Sequence, residues 1–196
     1  MRTAPRILLF TGSIRTGAYS GKVADAAQKE LVLQGAEVTR ISLGDFPLPI
    51  MNQDLEDEQG VPENAAKLAR LIVSHDAVMI CTPEYNGSMP PLLKNALDWI
   101  TRVKENGRSV RAFNGKLGCI CSSSDGHFAG IRSASHLRQV LAHIQMDVIA
   151  PQVSVPNAAE AFDENGGFKA ERLRDGMSRA CRALFEAASL RMRADG

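Results

Sequence analysis

The sequence has few aromatic residues, almost no net charge and no long apolar run. Phe, Trp and Tyr make up 5% of its 196 residues, and 23 Lys and Arg stand against 22 Asp and Glu. A net charge of +1 gives no broad electrostatic field for nucleic acid or an anionic membrane. No stretch approaches the roughly 20 apolar residues of a membrane span, and the N-terminus has no apolar signal-peptide run. These absences favour a cytoplasmic protein whose partner is a small molecule.

Cysteine is also scarce, and its four copies lack the spacing of a redox pair or a metal site. The chain has no C-x-x-C pair, and no cysteine is spaced from a histidine as metal ligands are. With 44% hydrophobic residues, the length of the chain suits one well-buried domain over residues 1–196. We expect buried thiols at all four positions, Cys81, Cys119, Cys121 and Cys181.

One stretch near the N-terminus joins an apolar strand to a loop rich in glycine and hydroxyl groups. Ile7 to Phe10 form an apolar run typical of a strand buried on both faces, and a helix pattern starts at Ser20. A loop between a buried parallel strand and a helix directs free N–H groups and the positive end of the helix dipole to one point. Residues 12–20, here named the phosphate loop, therefore predict an anion site, with phosphate as the first candidate.

Two familiar phosphate-binding patterns do not fit the phosphate loop. Gly12 and Gly17 do not make the G-x-G-x-x-G pattern of a dinucleotide site. Their spacing matches a nucleoside triphosphate loop, but Ala18 and Tyr19 follow where that loop needs Lys and then Ser or Thr. An ordinary polar turn before a helix is the alternative. A terminal phosphate monoester suits the hydroxyl and guanidinium groups of this segment, those of Thr11, Ser13, Arg15, Thr16 and Ser20.

Strand and helix patterns alternate along the rest of the chain. Because each early glycine loop falls between a strand and a helix, the pattern predicts a doubly wound α/β fold with five parallel strands ordered 2-1-3-4-5. Residues 44–62 predict a loop, which walls a substrate site, joins a subunit contact or covers the sheet edge. The predicted strands are 7–10, 37–43, 77–82, 117–122 and 147–155, and the predicted helices are 20–34, 62–73, 91–103, 131–144 and a closing helix from about 173.

A second loop, residues 82–88, follows the clearest strand of the sequence, and we name it the ring loop. Ligands of open parallel sheets bind outside the carboxyl ends of the strands, so this loop and the phosphate loop are expected to converge. Tyr85 offers an aromatic wall, and the peptide groups near Asn86 and Gly87 can bond to the edge of a flat ring. A plain turn is the alternative, because Pro-Glu-Tyr-Asn-Gly is also a good turn sequence.

Three segments resemble the NADPH-dependent FMN reductase family, which includes flavodoxin-like quinone, azo and chromate reductases. They are the phosphate loop, the ring loop with residues 91–99 behind it, and residues 122–130, here named the Ser/Gly loop. The resemblance spans most of residues 6–150 and implies a flavodoxin-like fold, bound FMN, NADPH or NADH as co-substrate, and a homodimer or homotetramer. Ala18 and Ser20 stand where the family usually carries a serine and an asparagine, so the backbone N–H of Ala18 is expected to replace one hydroxyl contact.

The resemblance assigns the cofactor to residues of all three loops, with the phosphate at Ser13, Arg15 and Ser20. The apolar helix 91–103 is expected to be covered either by a second subunit or by other parts of the monomer. His127 is expected to be a solvated loop histidine, with a proton donor as the alternative. The full set of predicted cofactor residues is Ser13, Arg15, Ala18, Tyr19, Ser20, Pro83, Glu84, Tyr85, Asn86, Gly87, Ser122, Ser123 and Gly126.

The chemistry is expected to come from the flavin and not from a side chain. The sequence marks no nucleophile–His–acid triad, no metal cluster and no spaced carboxylate pair. A bound flavin accepts hydride from a reduced nicotinamide and passes reducing equivalents to a second substrate. The acceptor stays open among free flavin, a quinone, an azo compound and a metal oxyanion. The alternatives are a flavodoxin-like electron carrier with a protein partner and a non-catalytic sensor or scaffold.

Overall fold

Parallel strands alternate with helices along residues 3–194, the part of the chain that the computed structural model describes. The strands are β1 (Arg6–Thr11), β2 (Glu37–Arg40), β3 (Ala77–Pro83), β4 (Lys104–Glu105), β5 (Arg108–Ser109), β6 (Leu117–Ser123), β7 (Asp147–Val148) and β8 (Val153–Val155). The helices are α1 (Tyr19–Leu33), α2 (Gln53–Gln59), α3 (Glu63–Ser74), α4 (Pro91–Arg102), α5 (Ile131–His143) and α6 (Glu171–Ala194).

The main sheet has the strand order β2-β1-β3-β6-β7, with β8 also paired to β6. All these pairs are parallel, and β4 with β5 forms a separate antiparallel hairpin. The predicted order 2-1-3-4-5 is therefore confirmed, with the fifth strand divided into β7 and β8. Two features lie at the break between β7 and β8. Pro151 has no N–H to donate to a neighbouring strand. Nη1 of Arg138 donates to the carbonyls of Val148 at 3.3 Å and Ile149 at 3.1 Å.

Alternate residues of the central strands enter two cores on opposite faces of the sheet. Ile7 and Leu9 of β1 pack with α1 and α6, whereas Leu8 and Phe10 pack with α3, α4 and α5. This alternation follows from the two-residue period of a strand, and helices on both faces explain why β1 reads as a continuous apolar run. The doubly wound prediction is confirmed.

The prediction of a loop over residues 44–62 is wrong for its second half, where α2 lies. Asn52 caps α2 by accepting a hydrogen bond from the N–H of Asp54 at 2.9 Å, and Gly60 ends it with φ of 77°. The helix has only seven residues and no buried side chain, so its sequence lacks the apolar periodicity that predicts a helix. Nε of Arg102 on α4 donates to Oε2 of Glu56 at 2.8 Å, so α2 is held by a tertiary ion pair.

The chain itself covers much of α4. Nε1 of Trp99 donates to the carbonyl of Pro49 at 2.8 Å, and Asn95 bonds both that carbonyl and the N–H of Met51. Leu93 and Trp99 are fully buried without a second subunit. Residues 46–51 therefore pack on α4, as the expectation of cover within the monomer requires.

All four cysteines are buried and carry free thiols, as expected. Cys81 of β3 lies opposite Cys121 of β6 in the sheet register. A hydrogen bond to Cys121 and burial raise the pKa of the thiols of Cys81 and Cys119 well above their ordinary value of 9.0. Within residues 3–194, no cluster of His, Cys, Asp or Glu could hold a metal ion, and no helix is long and apolar enough to cross a membrane.

Candidate functional site

The phosphate loop, the ring loop and the Ser/Gly loop meet at one edge of the sheet. They follow β1, β3 and β6, which are adjacent and parallel, so their carboxyl ends lie side by side. The N–H of Gly12 donates to the carbonyl of Cys81 at 3.0 Å and extends the pairing into the phosphate loop. A Cβ on Gly12 would lie 3.2 Å from Leu93 Cδ2 and 3.4 Å from Pro83 Cδ, so glycine allows the loop to pack closely here.

The phosphate loop is closed by its own hydrogen bonds. Oγ1 of Thr11 donates to the carbonyl of Ser13 at 2.6 Å, and the N–H of Arg15 donates to Oγ of Ser13 at 3.3 Å. The N–H of Ala18 donates to the carbonyl of Arg15 at 3.0 Å. A turn within the loop therefore uses the N–H that was expected to replace a hydroxyl contact, and a cofactor contact at Ala18 stays a prediction.

The start of α1 offers donors in place of Ala18. Gly21 and Lys22 donate the first hydrogen bonds of the helix, both to the carbonyl of Ala18. The N–H groups of Tyr19 and Ser20 come before them, in the part of a helix where amides lack an intrahelical acceptor. These amides lie at the N-terminus of α1, which is also the positive end of the helix dipole.

Two buried hydroxyls at this edge of the sheet have no hydrogen-bond partner among residues 3–194. They are Oγ of Ser20, whose residue is 1% exposed, and Oγ of Ser123, whose residue is 2% exposed. Buried hydroxyls in native proteins are nearly always hydrogen-bonded, so each unpaired one calls for a ligand or a water. Both belong to the predicted cofactor residues, and their donors and acceptors suit a polar ligand such as a phosphate ester with a ribityl chain.

The ring loop is a tight turn with two residues in the left-handed region. Tyr85 and Ser88 exchange both backbone hydrogen bonds, at 2.9 and 3.0 Å. Asn86 has φ of 50° and Gly87 has φ of 78°, the pair of positive angles that an Asn-Gly turn favours. The turn leaves Tyr85 46% exposed, with its hydroxyl 3.5 Å from Oγ of Ser13. This contact joins the ring loop to the phosphate loop.

Glu84 of the ring loop is bound to α5 and is not a free carboxylate. Its Oε1 accepts from Nε of Arg132 at 2.7 Å, and its Oε2 accepts from the backbone N–H of Arg132 at 3.2 Å. The side chain of Glu84 is 5% exposed. Sequence reasoning missed Arg132, which is 48 residues away along the chain and carries no local motif.

A cavity of about 290 Å³ lies between the three loops. Eight of the predicted residues line it, together with Ser124 and Asp125, which were not predicted although they adjoin Ser123. The guanidinium of Arg15 lies 5.7 Å from the centre of the Tyr19 ring. The eight predicted residues that line the cavity are Ser13, Arg15, Ala18, Tyr19, Pro83, Glu84, Tyr85 and Ser123.

The other five predicted residues lie outside the lining of this cavity. Ser20 is buried in the first turn of α1, and Asn86 and Gly87 form the tip of the ring loop. Ser122 donates its hydroxyl to the carbonyl of Ala129 at 2.9 Å, so that group ties the Ser/Gly loop together. Gly126, the fifth of these residues, is exposed on the Ser/Gly loop. The neighbouring His127, which was not among the predicted cofactor residues, is also exposed and does not line the cavity.

Known proteins are similar to this chain over most of its length. A profile described as NADPH-dependent FMN reductase matches residues 5–160. An NAD(P)H-dependent FMN reductase of Pseudomonas aeruginosa is 32% identical over 181 residues, which are 91% of this chain and 92% of that protein. A quinone reductase of Escherichia coli is 36% identical over 145 residues, 74% of this chain and 73% of its own length.

A solved structure extends the likeness to three dimensions. The flavoenzyme NAD(P)H:(acceptor) oxidoreductase FerB of Paracoccus denitrificans superposes with a TM-score of 0.80 at 26% identity, and the match covers 95% of this chain and 98% of that one. The sequence match and the three convergent loops agree on one assignment. The chain belongs to the NADPH-dependent FMN reductase family.

Proposed function

We propose that this protein is an FMN-dependent NAD(P)H oxidoreductase that reduces a small acceptor. The observation that carries the proposal is the cavity between the three loops, together with the buried hydroxyls of Ser20 and Ser123, which have no partner in the described part of the chain. Family membership supports the same chemistry. We also infer that residues 1–196 act as one domain.

The residues present fit FMN. Ser13, Arg15 and Ser20, with the first amides of α1, would hold the phosphate, because hydroxyls, a guanidinium and a helix N-terminus all favour an anion. Pro83 and Tyr85 would wall one side of the flavin ring, and the unpaired Oγ of Ser123 would bond to its polar part or to the ribityl chain. When bound, the flavin supplies hydride transfer.

No side chain of the cavity is proposed as a general acid or base. Glu84 is held by Arg132, and Oδ1 of Asp125 accepts from the N–H of Ala159 at 3.0 Å. Each carboxylate therefore has a structural partner. The contribution of the chain is to bind the cofactor, fix its ring and leave one side open to substrates.

A quinone is the first acceptor to test. The relatives include quinone reductases and a 2-hydroxy-1,4-benzoquinone reductase of a Burkholderia species. Free flavin, azo compounds and metal oxyanions stay on the candidate list, because an open flavin face discriminates weakly between them. The carrier alternative receives no support from the relatives named above, which are reductases or oxidoreductases by name.

We further propose a homodimer or homotetramer in the cytoplasm. Four free thiols suit a reducing compartment. A groove of about 740 Å³ between α4 and α5, bordered by Leu97 and Val140, supports the contact of a second subunit at this face. Sedimentation of the purified protein at two concentrations distinguishes monomer, dimer and tetramer.

An absorbance experiment tests the proposed function. The purified protein is mixed with FMN, freed of excess and treated with NADPH or NADH without oxygen. We expect retained flavin peaks that bleach within seconds. Peaks that stay oxidised with both nucleotides would favour the electron carrier, and a protein that retains no flavin would refute the site.

A further inference from the structure

The first turns of α5 hold the ring loop at three successive points. Arg132 binds Glu84, as described above. Oγ of Ser133 donates to the carbonyl of Pro83 at 2.8 Å, and Nδ1 of His136 lies 3.0 Å from Oγ of Ser88. Because positions 132, 133 and 136 share one side of a helix, α5 contacts the ring loop at two residues before its tight turn and at the last residue of that turn.

The contact between Arg132 and Glu84 is the charged one. The side chain of Glu84 is 5% exposed, whereas that of Arg132 is 55% exposed. A carboxylate that is shielded from water needs a counter-ion or hydrogen-bond donors, and Arg132 supplies three donors through Nε, Nη2 and its backbone N–H. The guanidinium also lies 5.1 Å from the centre of the Phe128 ring, which restricts its position.

The pair lies beside the proposed flavin ring. Glu84 lines the cavity with Pro83 and Tyr85, the two residues assigned to the ring above. A reduced flavin carries more negative charge than the oxidised form, so a net charge at this position alters the relative affinity for the two forms. With Arg132 present, the negative charge of Glu84 is compensated.

We propose that Arg132 is a positioning residue that neutralises Glu84 and thereby sets the preference of the site for reduced over oxidised FMN. The inference rests on the proposed FMN site. It assigns to α5 a role in setting the charge beside the cofactor, because Arg132 acts on the cofactor through Glu84.

Three variants separate compensation of Glu84 from a direct effect of the guanidinium. Arg132→Gln leaves the carboxylate uncompensated, Glu84→Gln leaves the guanidinium uncompensated, and the double variant removes both charges. Arg179→Gln is the matched control, because Arg179 is an exposed arginine on α6 and its loss changes the net charge by the same amount. The dissociation constants of oxidised and reduced FMN and the midpoint potential are measured for each protein.

We expect Arg132→Gln to weaken binding of reduced FMN relative to oxidised FMN by about tenfold, which is about 30 mV in a two-electron midpoint potential. Glu84→Gln should shift the potential the opposite way. The double variant and Arg179→Gln should stay near the wild type. Arg132→Lys should show little of the shift, because it keeps a positive charge beside Glu84.

The outcomes distinguish this inference from the proposed function. If the wild type binds no FMN, both are refuted. If the wild type binds FMN and all variants share its potential, only the role of Arg132 is refuted. A double variant that keeps the full shift of Arg132→Gln also refutes it, because the guanidinium would then act on the flavin directly. Should Arg132→Gln fail to fold, Glu84→Gln and the double variant give the same comparison.

Discussion

Replacing Ser20 by alanine should separate the stability of the chain from its affinity for FMN. Oγ of Ser20 is buried at the start of α1 and has no hydrogen-bond partner within residues 3–194. In the ligand-free protein this hydroxyl lowers the free energy of unfolding, because it has lost its hydrogen bonds to water and gained no other partner. In the proposed complex the same hydroxyl bonds to the phosphate.

The two effects have opposite signs and similar sizes. A buried hydroxyl without a partner costs about 1–3 kcal/mol, so Ser20→Ala should leave the free energy of unfolding unchanged or raise it by up to about that amount. A hydrogen bond to a charged group contributes about 1.5–3 kcal/mol. At about 1.4 kcal/mol for each factor of ten, its loss should weaken FMN binding about 10- to 150-fold.

Flavin fluorescence titration gives the affinity, and urea unfolding of the ligand-free protein gives the stability. Ser133→Ala is the matched control for stability, since Ser133 is as buried as Ser20 but its hydroxyl contacts Thr82 Oγ1 at 2.9 Å and the carbonyl of Pro83 at 2.8 Å. This control should lose about 1–3 kcal/mol of stability. A Ser20→Ala protein that loses stability like the control and keeps its FMN affinity would refute the reasoning.

Three further predictions concern other parts of the molecule. Gly130→Ala should lower the free energy of unfolding in urea by about 1–3 kcal/mol, because φ is +77° and the new Cβ would lie 3.0 Å from the carbonyl oxygen of Ser123. Gly176→Ala, in an open part of α6, should raise it by about 0.5–1 kcal/mol. Equal effects of the two changes would contradict this reasoning. Burial lowers the pKa of His75 from 6.5, so the unfolded chain binds more protons than the folded one just below pH 6.5. The free energy of unfolding should therefore fall on acidification in that range. If a His75→Gln protein shows the same dependence of stability on pH, His75 is not its cause. Arg15→Ala should weaken FMN binding about tenfold in a fluorescence titration while Arg179→Ala does not, and equal affinities would remove Arg15 from the site.

Much of the fold could be predicted because its signals are local. The apolar run at Ile7 to Phe10 and the helix spacing after Ser20 lie within one strand–loop–helix unit. Repetition of that unit predicts parallel strands, and the handedness of such connections leaves few possible orders. The predicted order is the observed one.

Elements held by distant contacts could not be predicted in the same way. The helix α2 has no buried residue, and its Glu56 finds Arg102 from 46 positions away. The indole N–H of Trp99 donates to the carbonyl of Pro49, which is 50 positions away in the sequence. Neither contact leaves a spacing pattern in the sequence, because the partners approach only when α4 packs against the sheet.

Local sequence patterns were enough to predict the two glycine loops, their place after buried strands and the kind of ligand that they suit. The packed structure was needed to show that the N–H of Ala18 is already bonded and that Arg132 holds Glu84. It was also needed to show that the hydroxyls of Ser20 and Ser123 have no partner within residues 3–194. The reason is physical. A strand or a loop type depends on neighbours along the chain, whereas the partner of a buried polar group depends on which segments the packed sheet brings within 3 Å of it.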